Sequence, residues 1–102
     1  MIRKLTPADV WSRLDEPWGN GRTARAIEYL NPLEIMTLLW FTNRPNRPLV
    51  TVAEIADAFG RHHSTMSKNL NGLLKRNVLL VWRQHRGSAH SLEYALNPAW
   101  FE

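Results

Sequence analysis

Apolar residues recur at helical spacing through most of the chain and alternate at strand spacing near its end. The first apolar stripe consists of Val10, Trp11 and Leu14, and it follows Thr6-Pro7-Ala8-Asp9. A hydroxyl residue before a proline and a carboxylate is typical of a helix start. We therefore predict a short helix from Pro7, within a segment 1–20 that serves as an N-terminal arm for docking or dimerisation.

The next two apolar stretches predict further helices. Residues 22–30 place Ala26, Ile27 and Leu30 on one side of a helix. Pro32 suits a first helical position, and residues 33–41 are apolar nearly all round, which is typical of a helix at the centre of a core. A polar loop follows, and Leu49-Val50 predicts a very short strand.

Residues 51–77 have the pattern of two helices joined by a turn. Thr51 and Glu54 predict a capping box, in which each side chain satisfies an orphan backbone N–H, and Gly60 suits a left-handed helix end. The second helix is predicted to start near Ser64 and to end at Arg76-Asn77, where Asn77 also suits a left-handed cap. Its buried face follows from the spacing of four apolar residues: Met66, Leu70, Leu73 and Leu74.

A β-hairpin is predicted after the second helix. Residues 78–82 are aliphatic and aromatic, and the alternation of Leu92, Tyr94 and Leu96 is typical of a half-buried return strand. The tip spans residues 83–91, with its turn at Gly87-Ser88. We expect Val78, Leu80 and Trp82 to face the core. Leu79 and Val81 make the other face apolar as well, so the N-terminal segment, the Trp100-Phe101 tail or a second subunit is expected to cover it.

Charge is distributed unevenly along the chain. Between Asp57 and Glu93 there is no acidic residue, while six arginines and lysines give this window +6, against −2 for the rest of a chain whose net charge is +4. All four histidines lie in the same window. Positive charge concentrated on one folded unit indicates a nucleic-acid-binding surface.

Residues 51–80 resemble the DNA-binding core of MarR-like and ArsR-like bacterial regulators. The similarity rests first on a small and an apolar residue in the first helix. It also rests on Ser64-Thr65-Met66-Ser67, which is followed by Leu70 three positions later. The third element is a Leu-x-x-x-Gly pattern, in which Asn77 replaces the glycine. The resemblance implies a winged helix-turn-helix: a mainly α fold with a small β-hairpin. The long terminal helices with which full-length MarR-type proteins dimerise have no counterpart here, so the dimerisation surface stays open.

The second helix carries a polar face opposite Met66 and Leu70. At about 100° per residue this face holds six residues that are neither acidic nor large and apolar: Ser64, Thr65, Lys68, Asn71, Gly72 and Lys75. In helix-turn-helix proteins such a face meets base edges, where lysine suits guanine and asparagine suits adenine. The predicted contact residues of this recognition helix are Ser64, Thr65, Ser67, Lys68, Asn69, Asn71 and Lys75. An ordinary solvated helix face is the alternative.

Basic segments flank the recognition helix on both sides. The turn before it contains Arg61, His62 and His63, which are predicted to hold a backbone phosphate together with the helix N-terminus. The wing contributes Arg83, Gln84, His85, Arg86 and Ser88, predicted to follow phosphates or to enter the minor groove. Solubility of the hairpin tip is the alternative for the wing. A metal site at the two histidines is the alternative for the turn, although no carboxylate or cysteine is near in sequence.

Composition narrows the possible classes of protein. A length of 102 residues suits one domain. The absence of cysteine excludes disulfides and thiolate metal sites, and neither a secretory signal nor a membrane-spanning run is present, so we expect a cytoplasmic protein without membrane contact. A Gly-rich phosphate loop and paired metal-ligand motifs are also lacking, so no enzymatic activity and no cofactor are expected.

Residues 21–102 are therefore predicted to form a winged helix-turn-helix domain that binds double-stranded DNA sequence-specifically. The expected role is a small homodimeric transcriptional regulator, acting as a repressor. Two alternatives stay open. One is a plasmid or phage partition or replication protein that binds an array of sites. The other is a winged-helix module for protein–protein assembly, in which the basic face binds an acidic partner. Under any of these roles, the N-terminal arm is a candidate site for a protein partner.

Overall fold

The computed structural model describes residues 5–17, 24–43, 50–86 and 89–101, with the backbone alone for residues 83–86 and 89–91. The elements, in chain order, are helix α1 (Pro7–Leu14), a 3-10 turn (Ala26–Tyr29), helix α2 (Pro32–Thr42), strand β1 (Val50–Thr51), helices α3 (Val52–Phe59) and α4 (His63–Lys75), strands β2 (Leu79–Arg86) and β3 (Ala89–Leu96), and a second 3-10 turn (Pro98–Phe101). No helix within the described ranges is long and apolar enough to cross a membrane.

The starts of α1 and α2 are fixed by reciprocal caps. The Thr6 hydroxyl accepts a hydrogen bond from the Asp9 N–H at 3.3 Å, and the Asp9 carboxylate accepts one from the Thr6 N–H at 2.8 Å. Asn31 and Glu34 make the same exchange at the start of α2, at 2.8 and 2.9 Å. A proline follows each cap. Both helix starts are confirmed, because the residues that satisfy the first backbone N–H groups are local in sequence.

The prediction of a helix over residues 22–30 is wrong for residues 24–30, the part of that range that the structure describes. Only a 3-10 turn of four residues, Ala26–Tyr29, forms there, between extended residues Arg25 and Leu30. The Ala26 N–H donates to the Glu16 carbonyl at 2.8 Å, and Arg25 pairs with Pro17 in an antiparallel bridge. These backbone bonds tie the segment to the end of α1, so they replace the bonds that a longer helix would make.

The helix-turn-helix is confirmed, with its second helix starting one residue earlier than expected. The Thr51 hydroxyl caps α3 by accepting from the Glu54 N–H at 3.2 Å, and Gly60 ends the helix in the left-handed region with φ 61°. Asn77 has φ 60° after α4. Asparagine tolerates this conformation better than most residues, which is why it serves here where glycine is usual.

One hydrophobic core joins the helices to the base of the sheet. The predicted buried face of α4 is present, since Met66, Leu70 and Leu73 are fully buried and Leu74 is half-buried. They share the core with residues from the other elements: Val10, Leu14, Leu38, Ile55, Leu79 and Tyr94. The N-terminal helix α1 packs against α2 and both 3-10 turns. Arg13 also donates through Nε to the Trp100 carbonyl at 2.6 Å and stacks over the Trp100 ring at 4.4 Å.

The three strands form an antiparallel sheet in the order β1-β3-β2. Leu79 lies opposite Leu96, and Val81 lies opposite Tyr94. The hairpin strands are longer than predicted, because the pairing continues from Leu79 to Arg86 through residues expected in the tip. Val50, in β1, pairs with Tyr94 on the other side of β3 and is fully buried.

The predicted facing of β2 is wrong. Val78 is buried as expected, but Leu79 is buried as well, whereas Leu80 and Trp82 are 36% and 43% exposed. Val78 belongs to the turn that ends α4, where its N–H donates to the Leu73 carbonyl at 3.0 Å. The strand starts only at Leu79, which is buried on the face that it shares with Tyr94, while Val81 on the same face is 41% exposed, so only the base of this face is covered.

Candidate nucleic-acid interface

The exposed side of α4 brings together most of the predicted recognition residues. Five polar side chains are exposed there, and we call them the recognition surface: Ser64, Thr65, Lys68, Asn71 and Lys75. The α4 backbone fixes their spacing, and burial of Met66, Leu70 and Leu73 on the opposite side turns them towards solvent. Ser67 is half-buried at the border of this surface.

Asn69 does not belong to the recognition surface. It is predicted from the sequence as a DNA-contacting residue, but its side chain is only 7% exposed and donates through Nδ2 to the Thr37 hydroxyl of α2 at 2.8 Å. The prediction that Asn69 contacts DNA is therefore corrected. The physical reason is that α2 covers this side of α4, next to the apolar face.

Gly72 also faces α2 and not the solvent-exposed side on which it was predicted. A Cβ atom at this position would lie 2.9 Å from Oε2 of Glu34, a carboxylate that is itself 4% exposed. Real Cβ atoms essentially never come so close to another heavy atom. The close approach that the glycine permits is thus to a neighbouring helix.

The turn before α4 is fixed by backbone and imidazole hydrogen bonds. The N–H groups of Gly60 and Arg61 donate back to the Asp57 and Ala56 carbonyls at 3.2 and 3.0 Å. His62 is the N-cap of α4, because its Nδ1 accepts from the Ser64 N–H at 3.2 Å and lies 2.8 Å from the Ser64 hydroxyl oxygen. His63 is the first helical residue, so its assignment to the turn is corrected by one position.

The predicted phosphate contacts of the turn have accessible side chains. Arg61, His62 and His63 are all exposed beside the start of α4. Because the first N–H groups of a helix carry partial positive charge, an exposed arginine next to them adds to a site that attracts anions. The capping role of His62 was missed by the sequence analysis, since histidine is not among the usual capping residues.

Cations on α4 divide into two groups. Lys68 and Lys75 are exposed on the recognition surface. Arg76, at the end of the helix, donates through one guanidinium nitrogen to Glu34 Oε2 at 3.4 Å and to the Gly72 carbonyl at 3.3 Å. Arg76 therefore contributes to helix packing, and the positive potential of the recognition surface comes from Lys68, Lys75 and the neighbouring Arg61.

The wing residues lie on the paired strands beyond the core. Arg83, Gln84, His85 and Arg86 continue β2, and their backbone pairs with residues 89–92 of β3. Their side chains and the whole of Ser88 lie outside the described residues, so the predicted wing contacts stay predictions. Within the described ranges, no group of three or more His, Cys, Asp or Glu side chains is placed to hold a metal ion.

Comparison with known proteins gives one match. A family model described as the MarR family matches residues 30–80, which run from the start of α2 through α3 and α4 into β2. No curated protein and no solved structure is similar enough to the chain to count as a match. The matched residues include the whole helix-turn-helix and the α2 side chains that contact α4.

Proposed function

Because the chain belongs to the MarR family, a family of DNA-binding transcription regulators, we propose that it binds double-stranded DNA sequence-specifically and regulates transcription as a homodimeric repressor. The observation that carries this proposal is the recognition surface of α4. Its five side chains are polar or positively charged and exposed, on a helix with no acidic residue. A surface of this kind matches the negative potential and the hydrogen-bonding edges of a major groove.

The recognition surface supplies the sequence-dependent contacts in this proposal. Ser64 and Thr65 lie in the first turn of α4, the part of a recognition helix that approaches the bases. Lys68 and Asn71 follow one and two turns later on the same side. Lysine donates to guanine O6 and N7, and asparagine pairs with adenine, so the two residues specify different bases. Lys75, near the end of the helix, is assigned to a phosphate.

The turn and the wing supply contacts that depend little on sequence. Arg61, His62 and His63 are assigned to a phosphate at the start of α4. Arg83, Gln84, His85, Arg86 and Ser88 are assigned to the phosphates or minor groove beside the recognition helix. These contacts set the position of the protein on the duplex and make its affinity dependent on salt.

Dimerisation is the second part of the proposal, and the wing supports it. Leu80, Val81, Trp82 and Leu92 are each 36–43% exposed, and the Trp100 tail packs on α1. The register places Leu80 and Trp82 on one face of the hairpin and Val81 and Leu92 on the other, and exposed apolar side chains on a strand favour contact with another protein surface. A two-fold dimer would present two α4 helices to half-sites about one helical turn apart. Repression would follow if such a site overlaps a promoter, because the bound dimer occludes polymerase.

Selection of bound duplexes from a random pool tests the proposal. We expect one enriched sequence with two inverted half-sites, bound by two chains per duplex in sedimentation or native mass measurements. Enrichment of several direct repeats would favour a partition or replication protein instead. Equal binding of all duplexes, or no complex at modest ionic strength, would contradict sequence-specific DNA binding.

A further inference from the structure

A polar interface joins α2 to the recognition helix. On α2 it consists of Glu34 and Thr37, on α4 of Asn69 and Gly72, and at the C-cap of α4 of Arg76. The two α2 residues are one helical turn apart, and the α4 residues follow one another at i, i+3 and i+7, so each set forms a stripe along its helix. The stripes meet side by side, next to the apolar core.

The centre of this polar interface is a directional chain of hydrogen bonds. Asn69 Nδ2 donates to the Thr37 hydroxyl at 2.8 Å, and that hydroxyl donates to the Leu33 carbonyl within α2 at 2.7 Å. Thr37 is fully buried and Asn69 nearly so. The Asn69 amide therefore has a fixed partner whose own direction is set by the α2 backbone.

Stability alone does not explain an asparagine at position 69. Its amide oxygen Oδ1 is buried and has no hydrogen-bond partner. A buried acceptor without a partner lowers stability, and an apolar side chain of similar size would avoid that loss. An amide, unlike an apolar side chain, provides a hydrogen bond that forms only within a narrow range of rotations and axial positions of α4.

The rotation of α4 determines where the recognition side chains lie, because each of three of them is adjacent in sequence to a residue of the polar interface. Lys68, Asn71 and Lys75 of the recognition surface directly precede Asn69, Gly72 and Arg76 of the polar interface. An α-helix with its side chains is about 5–6 Å in radius, so a rotation of about 20° would move the ends of the recognition side chains by about 2 Å. That distance is enough to break a hydrogen bond to a base edge.

We infer that Asn69 and Thr37 are positioning residues for sequence recognition: their buried hydrogen bond sets the rotation of α4 at which Lys68 and Asn71 meet the bases. The inference rests on the proposed function. Contacts of Met66, Leu70 and Leu73 with the core hold α4 in place but are not directional, so they tolerate small rotations. Phosphate contacts through long cationic side chains tolerate them as well. Loss of the Asn69–Thr37 bond thus lowers discrimination between sequences more than it lowers general DNA affinity.

Two substitutions at Thr37 test the inference without touching α4. Thr37→Val removes the hydroxyl at nearly constant volume, and Thr37→Ser keeps it. The measured quantity is the discrimination ratio, the affinity for the selected duplex divided by the affinity for a single-base variant. We expect Thr37→Val to lower this ratio by about ten-fold, which is the effect of one lost base contact. Its affinity for an unrelated duplex should stay unchanged. Thr37→Ser should keep the wild-type ratio. Asn69→Leu should behave like Thr37→Val and be at least as resistant to urea as the wild type.

Thr42→Val is the matched control. Thr42 is also buried in α2 and donates its hydroxyl to a carbonyl of its own helix, that of Leu39, at 2.6 Å. Its substitution should leave the ratio unchanged. Wild-type discrimination in Thr37→Val and Asn69→Leu would overturn the inference, and so would an equal loss of affinity for every duplex. Sequence-blind binding by the wild type itself would overturn the proposed function, and with it the inference.

Discussion

Lys68 and Asn69 are adjacent in the sequence and lie in opposite environments. The lysine is exposed on the recognition surface, and the asparagine is buried against Thr37 of α2. Both are polar residues on one helix, so residue type alone did not separate them. Glu34 and Thr37 did give a signal, because they are one turn apart in the otherwise apolar α2 stretch. Polar residues at that spacing inside an otherwise apolar helix indicate that a neighbouring element of the fold offers them polar side chains.

Removal of either central recognition side chain is expected to relax base preference. Lys68→Ala should lose about 1–3 kcal/mol of discrimination at one base position, and Asn71→Ala a similar amount at another, since each deletes the hydrogen-bonding groups that match a base edge. The measurement is equilibrium binding to every single-base variant of the selected duplex.

Arg25→Ala is the control for the loss of charge at position 68. Arg25 is exposed next to the first 3-10 turn, outside the helix-turn-helix, where it pairs with Asp15 at 2.9 Å. Its removal should leave base preference unchanged. Unaltered preference in both Lys68→Ala and Asn71→Ala would remove these residues from the proposed recognition surface.

Gly72→Ala should behave differently from a glycine substitution at an open helical site. Alanine favours a helix by about 1 kcal/mol over glycine. Here, however, the added Cβ would displace the Glu34 carboxylate, which is bound to Arg76 and to the Asn31 N–H. We expect the free energy of unfolding in urea to stay level or to fall.

A Glu34→Ala background separates the two effects of this substitution. With the carboxylate absent, Gly72→Ala should stabilise the protein by about 1 kcal/mol. An equal change in unfolding free energy in both backgrounds would mean that the Glu34 carboxylate is not the reason why a Cβ atom is unfavourable at position 72.

Among the elements, the helices were predicted well where the capping residues and the apolar stripe are close together in the sequence. The starts of α1 and α2 and the buried face of α4 are examples, because the interacting residues lie within four positions of one another. Residues 24–30 were predicted wrongly, because Arg25 pairs with Pro17 and the Ala26 N–H donates to Glu16, which no local pattern reveals. In β2 the error came from the turn after α4, which determines where the alternation begins.

The phase of α4 is tested by truncating its buried face. Leu70→Ala should lower the free energy of unfolding by about 2–5 kcal/mol, because Leu70 is fully buried in the core and its loss leaves a cavity. Met36→Ala, on a side chain of α2 that is 55% exposed, should have a much smaller effect in the same urea titration. Similar values for the two variants would be incompatible with a core at Leu70.

At the scale of the whole molecule, function depends on where charge and apolar surface are exposed. The window between Asp57 and Glu93 carries +6, and part of that charge, on Arg76, pairs with the buried carboxylate of Glu34. Among the described residues, the exposed large apolar side chains lie on the wing strands, on α1 (Trp11) and on α2 (Met36), and not on α4. This separation leaves α4 free for a polyanion and the strands available for a second subunit in the proposed dimer.

The contribution of the wing to DNA affinity is expected to appear in the salt dependence. Arg86→Ala should weaken binding to all duplexes alike and reduce the slope of log affinity against log salt by about 1, since one phosphate contact is lost. Arg25→Ala serves again as the control and should leave the slope unchanged. A wild-type slope in Arg86→Ala would mean that the wing arginine does not touch DNA.

The sequence by itself determined the fold class and the side of α4 that faces outward. Helix caps, apolar periodicity and charge segregation are properties of neighbouring residues, and they sufficed for the winged helix-turn-helix now supported by the MarR family match. The tertiary structure decided which polar residues of α4 are buried, which face of β2 is covered and how residues 24–30 fold. Each of these depends on contacts with elements far away in the chain: Thr37 and Glu34 for α4, Tyr94 for β2, and Glu16 for the 3-10 turn.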